Sequence, residues 1–88
     1  MTSRAFPLAQ AADGEQVEVV AIHGGSKIHR RLSDLGLAPG KRVMVVAGQP
    51  GGPILIAIGV SRVAVGFGMA LKVRVVPVVG EASPNETL

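Results

Sequence analysis

Between Ser26 and Gly40 the apolar residues Ile28, Leu32 and Leu35 recur at spacings of four and three, which puts them on one stripe of a helix. Ser26 stands where an N-cap hydroxyl accepts from an N–H two or three residues on. Gly36 stands where the chain turns left-handed to end a helix, and with Gly36 at C′ the C3 and C″ positions that touch in a Schellman ending fall to Leu32 and Leu37. Ala38-Pro39-Gly40 bars the helix from resuming, since a proline disfavours α geometry in the residue before it and the glycine supports a turn. The expected unit is a short helix, an apolar clasp and a structural turn made by Gly36, Pro39 and Gly40.

The rest of the chain alternates with period two. Val17, Val19 and Ala21 interleave with Gln16, Glu18 and Val20, the signature of a half-buried strand over 16–22. Further strands are expected at 42–47, 54–58, 61–65 and 72–78, separated by the Gln49-Pro50-Gly51-Gly52 loop, a tight turn at Gly59 and a single helical turn in 66–70. On the last strand Val73 and Val75 share one face and Lys72 and Arg74 the other. Phe6-Pro7-Leu8 reads as a hydrophobic tether behind a loose leader, Met1 to Arg4, and residues 80–88 read as a mobile tail. The expectation is one domain over residues 1–79, mostly β: a small, partly open barrel of about five strands with one short helix inserted after the first. Closure hides edges that a sheet of this size otherwise leaves open.

Composition narrows the function classes. The chain has 88 residues, enough for one core but not for a deep cleft with separate catalytic machinery. Aromatic residues are 2% of the chain and Trp and Tyr are absent, so nothing here builds a stacking platform for bases or sugars. Cysteine is also absent, which removes disulfides, thiolate metal sites and thiol nucleophiles together. No run resembles a signal peptide or reaches the roughly 18–20 apolar residues of a membrane span; a cytoplasmic address and no direct membrane insertion are expected. The net charge is +3 with a sequence pI near 10.2, yet the cations are scattered in runs no longer than two. That pattern fits solvated faces, and no nucleic-acid partner is expected.

Catalytic groupings fail for lack of parts. Ser26, Ser33 and Ser61 lie in no nucleophile elbow, and Asp13, Glu15, Glu18 and Asp34 show no paired spacing. Gly24-Gly25-Ser26-Lys27 resembles the end of a phosphate loop but lacks the upstream glycine. His23 and His29 are weak metal candidates, because two imidazoles without thiolates or arranged carboxylates make a poor site; no metal site is expected. By helical angle, Lys27, Arg30 and Asp34 lie opposite the apolar stripe and Arg31 lies at its border. Val20, Ile22, Met44, Val46, Val76 and Val78 are surplus to a one-sided barrel; some are expected to pack under the helix and the Phe6-Leu8 segment, and any contiguous remainder left exposed marks an interaction surface.

Two stretches carry a family resemblance: R-R-L-S-D-L-G-L-A-P-G-K-R-V (Arg30 to Val43) and R-V-A-V-G-F-G-M-A-L-K-V-R-V (Arg62 to Val75). With the order strand, Gly-Gly, helix, strands, they resemble the FeoA family, small SH3-like accessory proteins of bacterial ferrous-iron uptake, over about Phe6 to Val78. Similar modules end the iron-dependent repressors of the DtxR type. The resemblance implies an SH3-like barrel and an adaptor for FeoB, the membrane ferrous-iron permease with a cytoplasmic GTP-binding domain. It implies no enzyme and no required cofactor, with transition-metal binding at most weak; a homo-oligomer stays open. The alternative is a metal-responsive regulatory module akin to the repressor domains. The expected partner-binding residues are Arg31, Leu37, Lys41 and Arg42, where an apolar clasp, a rigid turn and a basic rim coincide.

Overall fold

The alternating stretches form six antiparallel strands: β1 (Phe6–Pro7), β2 (Gln16–Ile22), β3 (Arg42–Gly48), β4 (Ile54–Ile58), β5 (Ser61–Val65) and β6 (Val73–Pro77), in the spatial order β1-β6-β2-β3-β4-β5. Helix α1 (Ser26–Asp34) follows β2, and α2 (Phe67–Ala70) is the single turn between β5 and β6. The computed structural model describes residues 5–78; the leader Met1 to Arg4 and the tail expected over 80–88 lie outside the described residues. Inward side chains of β2, β3, β4, β5 and β6 meet Leu8, Leu32 and Leu37 in one core cluster. The sheet is therefore curled on itself as a barrel left open between its end strands. Among the described residues no polar or charged side chain is buried, so the aliphatic core has only backbone groups to satisfy by hydrogen bonding.

The ending of α1 has the geometry that its residues require. Gly36 has φ +96°. Its N–H donates to the Ser33 carbonyl at 2.9 Å, and the Leu37 N–H donates to the Leu32 carbonyl at 2.8 Å, the two bonds of a Schellman motif. Leu32 and Leu37 are both fully buried. Lys41 N–H then donates to the Ala38 carbonyl at 3.0 Å, closing Ala38-Pro39-Gly40-Lys41, and Gly40 has φ +96°. Proline second and a positive-φ glycine third is the requirement of a type II turn. Val19 pins that turn to β2: its N–H donates to the Lys41 carbonyl and its carbonyl accepts from the Gly40 N–H.

Three expectations need correction. The N-cap is Gly25, not Ser26; Ser26 is the first helical residue and no side chain caps the end, while the Gly25 carbonyl accepts the first helical bond from His29 N–H. Phe6-Pro7-Leu8 is more than a tether: Phe6 and Pro7 pair with Val75 and Arg74 as a short strand beyond the five expected, and Leu8, opening a 3₁₀ turn, is wholly buried. Finally, the alternation of β2 breaks at Val20, where the register with β6 shifts between Val19 and Ala21. A bulge of this kind inserts one residue and exchanges the faces beyond it. Ala21, expected inside, is exposed, and Ile22 turns to pack on the core.

Candidate partner-docking surface

Helix α1 lies on the barrel through Leu32, with Ile28 and Leu35 half-buried beside it. Its other side is strongly cationic: Lys27, Arg30 and Arg31 are exposed and, with Asp34 and Leu35, line a shallow open groove of about 490 Å³. Arg31 is the basic residue of the last helical turn and the first turn holds no acid. A cation near a helix C-terminus gains about 0.3–1 kcal/mol from the backbone dipoles, so Arg31 contributes modestly to the fold as well as to the surface.

Lys41 and Arg42 leave the clasp at the start of β3, both exposed. Arg42 stands directly across from Glu18 in the β2–β3 register, and its Nε lies 3.5 Å from Glu18 Oε1. An exposed pair of this kind contributes at most about 1 kcal/mol. Leu37, the fourth residue expected to bind a partner, is fully buried, where with Leu32 it holds the helix ending in place. Pro39 and Gly40 are exposed at the tip of the turn, between the Arg31 groove and the Lys41-Arg42 pair along the chain.

Arg74, expected on the face of the last strand opposite Val73 and Val75, reaches back to the N-terminal segment: its Nη2 donates to the Ala5 carbonyl at 3.1 Å from a half-buried position. His23 and His29 are both exposed, one past the end of β2 and the other in α1. Among the described residues no three His, Cys, Asp or Glu side chains gather as metal ligands. The Glu18–Arg42 pair escaped the sequence reading; the signal for it lay in aligning the two strands, where an acid and a base fall opposite one another.

The family model for the FeoA domain matches residues 6–77. The chain belongs to the FeoA family. A Methanocaldococcus jannaschii protein that carries the provisional name Fe(2+) transport protein A is 37% identical over 70 residues, 80% of this chain and 84% of that protein. A crystal structure of an iron uptake regulatory protein (FeoA) is similar with a TM-score of 0.82 and 36% identity, covering 85% of this chain and all of the other. A manganese-dependent transcriptional repressor is similar at a TM-score of 0.79 and 26% identity over 89% of this chain, but over only 44% of its own. The SH3-like barrel is thus used both free-standing and within larger regulators. This FeoA-family chain is linked to Fe(2+) transport, and none of its described helices is long and apolar enough to cross a membrane.

Proposed function

We propose that this chain is an accessory protein of ferrous-iron uptake that works without catalysis, by docking on the cytoplasmic side of a FeoB-type permease. The observation that carries this reading is the coincidence, on a family member, of a rigid double turn with an exposed cationic surface. The turn Ala38–Lys41 is hydrogen-bonded to β2, and the Schellman ending ties α1 to it. Arg31, Lys41 and Arg42 are thereby presented on a frame that loses little freedom on binding, which is what favours a docking surface over a set of solvated charges. Arginine is a frequent interface anchor, and removal of a good one costs upward of about 2 kcal/mol of binding. Arg31→Ala and Arg42→Ala are expected to stay folded by circular dichroism, each losing no more than about 4–8 °C of thermal midpoint, while lowering ferrous-iron uptake in cells. Normal uptake by both folded variants would place the docking face elsewhere.

No resident cofactor is needed for this role. A second reading, a metal-responsive regulatory module, is favoured by the likeness to the manganese-dependent repressor and requires a metal site. His23 and His29 are too few ligands for one. Anaerobic titration calorimetry is expected to show no micromolar Fe²⁺ or Mn²⁺ binding to the isolated protein. Micromolar binding that disappears in His23→Ala or His29→Ala would favour the regulatory module instead.

A further inference from the structure

Strand β5 ends the sheet, and among the described residues no strand pairs with its outer edge. Gly59 has φ +60° and Val60 lies outside the left-handed region, which suits a two-residue type II′ turn between β4 and β5. Such a turn makes Ile58 and Ser61 a pair that exchanges both backbone bonds, and by alternation along the register the same holds for Ile56 with Val63 and Ile54 with Val65. The N–H and C=O groups of Arg62 and Ala64 therefore point away from β4, toward the open edge.

The side chains beside that edge have two characters. On the solvent face, Met44, Ala57 and Arg62 form one cross-strand row and Ala47, Leu55 and Ala64 the next. Met44 and Ala64 are exposed, Leu55 and Ala57 half-buried, and β4 and β5 carry no carboxylate. The face is apolar up to the edge, where Arg62 stands. On the core face, Val63 packs against the cluster but is left half-buried, with no strand beyond to cover it.

We propose that the free edge of β5 is a docking site for an extended segment of a partner protein whose side chains alternate between acidic and apolar. Its backbone pairs with Arg62 and Ala64, its acidic side chains meet Arg62 on the solvent face, and its apolar ones cover Val63 on the other. Charge argues against a second copy of this chain as the occupant. Antiparallel β5–β5 pairing about Val63 would set the two Arg62 side chains on one face as diagonal neighbours, roughly 7–8 Å apart at the backbone. A five-residue strand pair also buries far less than the roughly 800 Å² per partner of a standard stable interface. The site is separate from the α1 surface and does not depend on it.

The probe is the blocked peptide Thr-Glu-Val-Glu-Val-Glu-Thr, with Thr-Lys-Val-Lys-Val-Lys-Thr as its charge-reversed counterpart, titrated into the full chain with amide hydrogen exchange read by NMR. The acidic peptide is expected to slow exchange at Arg62 and Ala64 by about tenfold or more, and the lysine peptide to leave both unchanged. Arg62→Glu should reverse that preference. Ala64→Pro, which removes an outward N–H but no bond to β4, should abolish protection while the protein stays folded. Three results would overturn the proposal: no protection by the acidic peptide, protection that rises with protein concentration in its absence and so reports a second copy, or protection in the free chain that is lost on deleting residues 79–88.

Discussion

Leu8→Ala is expected to cost this protein about 2–5 kcal/mol of stability, the range for truncating a fully buried leucine in a core that only partly collapses. Leu8 is entirely excluded from solvent and belongs to the core cluster of the barrel strands, and its 3₁₀ turn lies against β6 and α2. The segment before it is tied to β6 twice: β1 pairs with β6, and Arg74 donates to the Ala5 carbonyl. A domain of this size loses about 4–8 °C of thermal midpoint per kcal/mol, so a drop of roughly 10 °C or more is expected by differential scanning calorimetry. A change within a degree or two would mean that the N-terminal segment is only laid on the surface. Alanine at exposed Val60, fully open to solvent in the β4–β5 turn, serves as the comparison and should change little.

Gly36→Val is the second large effect. Gly36 sits at φ +96°, where an L-residue is strained by about 1–2 kcal/mol and a β-branched one by more. A Cβ built at Gly36 would lie 3.4 Å from the Ile58 Cδ1 methyl, an ordinary contact, so Gly36→Ala carries the backbone term alone. The two further methyls of valine have to displace Ile58 as well. Gly36→Val is expected to lose about 2–3 kcal/mol, Gly36→Ala about half as much, and Gly36→Asn least, since asparagine tolerates the left-handed region. Equal midpoints for the three variants in thermal unfolding would show that the Schellman ending does not constrain the fold.

The contrast between these two residues shows what was legible in the sequence. The ending at Gly36 is a local requirement: the helical stripe, a left-handed residue, an apolar C″ and a proline all fall within fifteen residues, and each position has few acceptable occupants. The long strands are legible for a similar reason, because alternation is written into each strand by itself. Leu8 is the opposite case. A two-residue strand has no period, Pro7 reads as a breaker, and only pairing with a strand nearly seventy residues away turns the segment into core. The bulge at Val20 likewise follows from the register with β6 and from Val19 pairing with Gly40 and Lys41, so the inside-outside order of Ala21 and Ile22 could not be read from β2 alone.

The candidate surface divides in the same way. The exposure of Arg31 and Lys41 follows from helical angle and turn chemistry. The burial of Leu37 was implied by its place in the Schellman contact, and it separates the residue that builds the surface from those that form it. The partner of Arg42 depended on the β2–β3 register, which sets Glu18 opposite. That ion pair is exposed and contributes at most about 1 kcal/mol to stability, whereas Arg74 is tied to the Ala5 carbonyl beside β1.

Retention of the full chain by an immobilised cytoplasmic domain of the FeoB-type permease tests the docking account most directly. The wild-type chain should be retained, and retention should weaken as salt is raised, as expected for contacts led by exposed cations. Arg31→Glu combined with Lys41→Glu should remain folded by circular dichroism and lose at least about tenfold in affinity, which corresponds to about 1.4 kcal/mol. Absence of wild-type retention, or retention that the double charge reversal leaves unaltered, would contradict the assignment of α1 and its turn as the docking surface.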